Sequence, residues 1–335
     1  MNRRQHLMQL ASAAGLCTIG NVPFAHAQSY TMKLTATTQD DMGTDWLNAY
    51  KAEVEAATQG KVKAQVYPAS QLGSAQRTVE GVSMGTIEMV LNASGFYEGL
   101  DARLAALSVP GMFYSLEQGN KVMTDPEVRQ RLSTVGAGKG VELLTVLAHS
   151  QCSIVSRKPV RTVADLKGQK IRVPGSAAII AQLRALGANP MAMSLGEVLP
   201  AFQNGTLDGV YSGMPIPSAL KYYDVAKAQT LLPSTYICIV GLVSPTFMKS
   251  TGPLEPVLRE AAHKIDATVA APRAIERSES AKDIWRKGGG EFIEFSPADT
   301  KAYLDAAIPV AMKELNAEGQ KDFELIRRVG AKYRS

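Results

Sequence analysis

Residues 163–212 read VADLKGQKIRVPGSAAIIAQLRALGANPMAMSLGEVLPAFQNGTLDGVYS, and this stretch decides the fold. Lys170 to Val173 is short and β-branched, and Pro174-Gly175 stops it. Ser176 can cap a helix whose apolar side is Ile179, Ile180, Leu183 and Leu186, with Gly187 as its left-handed stop. Asn189-Pro190 opens the next extended piece. Ser194 with Glu197 three residues on is a capping-box signal, and Leu195, Val198, Leu199 and Phe202 form one apolar face with Pro200 inside it. Strands and helices alternating at this spacing predict an α/β fold with a parallel, doubly wound sheet. Arg172 and Ser212 then fall near carboxyl ends of strands, where such sheets bind ligands.

A second unit of the same kind lies upstream. Tyr30 to Ala36 alternates as a strand, and Asp40-Asp41 leads into a helix with Trp46, Leu47, Tyr50 and Val54 on one side. Val62, Ala64 and Val66 form a strand closed by Pro68. A helix over 74–84, a strand over 86–91 and a loop at 92–95 complete the unit. Two lobes are therefore expected, with chain crossings near His149 and over Tyr236 to Val243. A long helical region over 254–287 carries Pro272, which predicts a kink. Ser296-Pro297 starts a last helical region, whose charged tail past Glu314 reads as a solvated face.

Composition bounds the function. The 335 residues are 45% hydrophobic and 20% charged, with a formal charge of +5. Arg3-Arg4, an apolar run from Leu7 to Ile19 and Ala25-His26-Ala27 predict a twin-arginine-type signal peptide over 1–27 and a mature chain from Gln28. Removing it leaves +3, spread along the chain, with no basic cluster interleaved by aromatics, so nucleic acid is not an expected partner. Gly81-Val82-Ser83-Met84-Gly85 matches the G-x-S-x-G of esterases, but a helix ends there and a strand begins, the reverse of what that motif needs. No H-E-x-x-H, C-x-x-C or phosphate-binding glycine loop occurs, and no cofactor is expected.

The run from Pro159 through Asp165–Gly168, Ile171–Gly175, Ala185–Pro190 and Gly205–Gly209 resembles the periplasmic solute-binding proteins of TRAP (tripartite ATP-independent periplasmic) transporters. Gln71-Leu72-Gly73, the strand after Gly85 and Val109-Pro110 extend the likeness, which fades after about Thr251. The resemblance implies two α/β lobes joined by hinge strands, with one long helix beneath both. Lobe I is expected over 28–149 plus about 237–278, and lobe II over 150–236 plus about 279–335. It implies a periplasmic receptor, not an enzyme, that hands a small organic acid to membrane permease subunits, and a monomer in preference to a dimer.

The resemblance assigns the ligand's carboxylate to Arg172 and nominates Asn92, on the loop after its strand. Three ligand-facing types common in the family are replaced here. Cys152 stands where a second arginine is frequent, Tyr211-Ser212 where an asparagine is, and Leu195 where an aromatic is. These departures point away from sialic acid and C4-dicarboxylates, toward a monocarboxylate with a more apolar body. Cys152 and Cys238 form either a disulfide at the crossings or, as the favoured reading, free thiols with Cys152 facing the cleft. A secreted enzyme acting on a carboxylate, or a sensing subunit for a signalling receptor, are the alternatives.

Overall fold

The computed structural model describes residues 29–334; the expected export signal and cleavage point lie outside them. Strand β1 (Tyr30–Thr35) leads to helix α1 (Met42–Ala57), then β2 (Val62–Tyr67), α2 (Ala75–Ser83) and β3 (Met89–Ala93). Helix α1 begins where Asp41 accepts the Thr44 N–H at 2.9 Å, and it buries Trp46, Leu47, Tyr50 and Val54, spaced to lie on one face. Helices α3 (Leu116–Thr124) and α4 (Pro126–Leu132) follow. The long strand β4 (Glu142–Ser156) then carries the chain to β5 (Lys170–Val173), α5 (Ala177–Ala185), β6 (Asn189–Ala192), α6 (Leu195–Gln203) and β7 (Gly209–Gly213). After α7 (Pro215–Ala219), a second long strand, β8 (Ala228–Val243), returns. Helices α8 (Pro245–Ser250), α9 (Glu255–Ile265) and α10 (Ala271–Lys287) precede β9 (Glu291–Glu294), α11 (Pro297–Lys313) and α12 (Ala317–Lys332).

The nine strands among the described residues form one sheet in the order β2-β1-β3-β8-β4-β7-β5-β6, with β9 beside β8. The groups β2-β1-β3 and β7-β5-β6 are parallel, as the alternating pattern predicts. Between them β4 and β8 run antiparallel to each other along their length, from Glu142 opposite Val243 to Ser156 opposite Ala228. The sheet is therefore mixed rather than parallel throughout. Its antiparallel centre is slipped at three places, between Leu143 and Thr145, Ala148 and Ser150, and Gln151 and Ser153. Each slip reverses which face the following side chains take.

Helices cover both faces. In the half containing β1, one core joins Val79, Leu104, Phe113, Phe323 and Ile326, and the other joins Trp46, Leu47, Leu258 and Ile265. The half containing β5 has its own pair, around Ile154, Ile171 and Leu183 and around Phe202, Tyr222 and Trp285. Each large apolar side chain so buried contributes about 1.5–3 kcal/mol. Helices α9 and α10 run beneath both halves, the first packing on α1 and the second on α7. Their junction, just before Pro272, is a π turn over Asp266–Ala270. Asp266 is held there by Trp46 Nε1, Thr145 Oγ1 and an Arg129 guanidinium N–H, each at 2.8 Å.

Two expectations are corrected. The strand expected over 86–91 starts at Met89, because the Thr86 and Ile87 N–H groups are spent on the Gly81 carbonyl, closing the end of α2. The tail past Glu314 is not a solvated face. Helix α12 buries Phe323, Ile326 and Val329 against α3 and α4, on the β1 side of the molecule rather than with the 279–335 segment's expected lobe.

Candidate functional site

The carboxyl ends of β1 and β3 face those of β5 and β7 across a cavity of about 610 Å³, mouth included. Thr37, Asp41, Asn92, Phe96 and His149 border it from one side; Arg172, Leu195, Ser212 and Ile216 border it from the other. The apolar remainder includes Leu91, Pro174, Ile237 and Ile239.

Arg172 is only 3% exposed. Its Nε and one terminal nitrogen donate to the Met193 carbonyl at 3.0 and 2.8 Å, and the other terminal nitrogen donates to the Tyr211 carbonyl at 3.4 Å. The Phe96 ring lies 5.9 Å from the guanidinium carbon. Among the described residues no carboxylate pairs with it, and burial pulls its pKa down to about 10. Three of its five N–H groups are thus held by main-chain carbonyls, which aim the plane. Two remain, one on each terminal nitrogen, the geometry that grips a carboxylate through both oxygens.

The other expected residues divide. Leu195, the first residue of α6, borders the cavity, as does Ser212, whose hydroxyl donates to the Gly213 carbonyl at 3.0 Å. Tyr211 borders it too, but its phenol is buried in the core and donates to the Cys152 thiol at 3.0 Å. Asn92 borders the cavity from within β3, not from a loop, and pairs with Val240. Its Oδ1 accepts the N–H and hydroxyl of Thr37 at 2.7 and 2.8 Å, and its Nδ2 donates to the Tyr97 phenol at 2.8 Å. So Asn92 fixes the segment after β1. Cys152 does not border the cavity. The slip between Gln151 and Ser153 turns it, with Ile154, into the core under α5, where burial pushes its thiol up to about 12. Cys152 and Cys238 are both free and buried, in different cores, so no disulfide joins them. Ser83 of the G-x-S-x-G match ends α2 in an exposed position.

Sequence reasoning missed Asp41 and His149. Burial alone would raise the Asp41 pKa, but His149, Thr38 and the Thr44 N–H together carry it down to about 2. His149 Nε2 lies 3.0 Å from Asp41 Oδ2, and Nδ1 lies 2.8 Å from the Ser150 hydroxyl. The signal for both was present, an acid pair at a helix start and a histidine in an apolar strand, but nothing local brings them together.

An α/β sheet in two halves, with a buried arginine bordering the cavity between them, has the build of a small-anion binding protein. The sequence profile described as "Bacterial extracellular solute-binding protein, family 7" matches residues 34–317, well past the point where the resemblance fades by eye. The chain belongs to this family, the periplasmic solute-binding component of TRAP transporters. It is 29% identical over 251 residues to the 2,3-diketo-L-gulonate-binding periplasmic protein YiaO of Escherichia coli, covering 74% of this chain and 75% of that one. Its fold matches a TRAP periplasmic solute-binding protein from Desulfovibrio salexigens with bound orotic acid, at TM-score 0.85 and 22% identity, over 91% of this chain and 99% of the other. One from Xanthobacter autotrophicus with bound β-D-galacturonate matches at TM-score 0.82 and 24% identity, over 90% and 99%.

Proposed function

We infer that this chain captures a small organic acid between two lobes, closes on it, and delivers it to the permease subunits of a TRAP transporter without chemical change. The observation that carries the reading is Arg172, buried beside the cavity with no acidic partner and two N–H groups unspent among the described residues. Lobe I comprises β1 to the first part of β4, the last part of β8, α9 and α12; lobe II comprises β5 to the first part of β8, with α10 and α11. Asn92, Leu195, Ser212 and the Tyr211 main chain shape the pocket around the carboxylate; Cys152 supports it from behind. In this reading the receptor works as a monomer.

The test is calorimetry with the acid identified by mass spectrometry of the co-purified small molecule. Lysine has no planar fork, so Arg172→Lys is expected to weaken binding roughly 30- to 5000-fold while the thermal unfolding profile persists. A change below threefold, or turnover of the bound acid, would sink the reading.

A further inference from the structure

The charged side chains bordering the cavity are Arg172 on one side and the Asp41–His149 pair on the other. A ligand with a carboxylate at each end would meet Arg172 at one end and, at the other, a histidine already paired with an acid. At the far side the ring nitrogens of His149 are both taken, by Asp41 and Ser150. Asp41 Oδ1 receives the N–H and hydroxyl of Thr44, each at 2.9 Å, whereas Oδ2 lies 3.0 Å from His149 Nε2; with the Thr38 side chain also near the carboxylate, Oδ2 is the less committed oxygen and the one to accept from a ligand. Two hydroxyls nearby have the same polarity. Thr37 spends its proton on Asn92 and Ser212 spends its proton on the Gly213 carbonyl, so both have only lone pairs left for a ligand. Apolar side chains, Leu91, Ile237 and Ile239 among them, border the same space.

Resting on the carboxylate reading of Arg172, we propose that Asp41 determines specificity: it accepts a hydrogen-bond donor, hydroxyl or ammonium, at the far end of a monocarboxylate, and rejects dicarboxylates. A second carboxylate would meet Asp41 at the buried end of the cavity, where like charges repel.

Calorimetry on the intact protein, with linear C4 to C6 acids differing only in the terminal group, tests this. The groups are methyl, hydroxyl, ammonium and carboxylate. At its best length the hydroxyl- or ammonium-ended acid is expected to bind about tenfold or more tightly than the dicarboxylate. Which of the two binds better tells a hydroxyl site from an ammonium site. Asp41→Asn, and Asp41→Ser as a second capping residue, should narrow that gap below about threefold while circular dichroism shows an intact fold. A dicarboxylate that binds equally well, a gap that survives both substitutions, or a panel in which nothing binds would overturn the proposal. Arg172→Lys separates the two readings. Equal weakening of every acid supports the anchor; unchanged affinities with the Asp41 gap intact remove the anchor and leave the filter standing.

Discussion

A guanidinium taken out of water without a carboxylate partner is costly, and Arg172 accepts that cost through three main-chain carbonyl contacts from Met193 and Tyr211. Carbonyls orient the group without neutralising it, so the charge stays available to a ligand. The cysteines illustrate the opposite use of burial. Cys152 and Cys238 are packed as small apolar groups, and burial raises both thiols above their ordinary range. Neither is expected to react with Ellman's reagent in the native protein, with or without ligand. Cys152 and Cys238 should both titrate in denaturant without prior reduction, and a protein needing reduction first would contradict the structure. The expectation of a cleft-facing Cys152 failed for a definite reason. Its offset from Pro159 is readable, but the slip in β4 that sets which face it takes depends on pairing with a strand some eighty residues away.

At the scale of elements, Asp41 ends one helix and shapes one cavity. Its carboxyl is held near 2 in the folded chain against an ordinary 3.8, so the folded form gives up the proton more readily than the unfolded one. The stabilisation is complete above pH 4 and is lost as pH falls through 2, amounting to roughly 2 kcal/mol. Chemical denaturation of wild type and Asp41→Asn at pH 6 and pH 2 should show the stability difference shrinking by about that amount; parallel curves would exclude the pairing. The elements over 163–213 were legible because their boundaries are local: Ser176 accepts the Ile179 N–H, Gly187 takes φ +84°, and Ser194 with Glu197 closes a capping box. Helix α12 was misread because its charges are conspicuous. The signal lay in Phe323, Ile326 and Val329, three residues apart, and the groove they fill is assembled from distant α3 and α4.

At the scale of the molecule, a tie crosses between the segment after β3 and the start of α5. Glu98 accepts the Ser176 hydroxyl at 2.5 Å and the Ala177 N–H at 3.0 Å, as well as the Ser108 hydroxyl at 3.0 Å. If the lobes hinge, a ligand bridging Arg172 and Asp41 favours the form in which these contacts are made, and the population shifts by that difference. X-ray scattering of wild type should show a small, saturable fall in radius of gyration on adding the co-purified acid. Glu98→Ala should start from a larger radius without ligand. Identical curves with and without ligand would describe a rigid binder.

The interleaved centre of the sheet has a consequence for how the chain reaches this state. Strand β3 finds its neighbour β8 only after some 150 further residues, and α12 closes the same half from the far end of the chain. No stretch emerging first from the ribosome contains β3 or β4 together with its partner β8. Such high contact order slows folding and leaves β3 and β4 with exposed edges until late in synthesis. A fragment ending at residue 227 is therefore expected to lack cooperative unfolding by circular dichroism, and to regain it when residues 228–334 are supplied in trans. A cooperative melt from the fragment alone would show that the halves are less entangled than their strands.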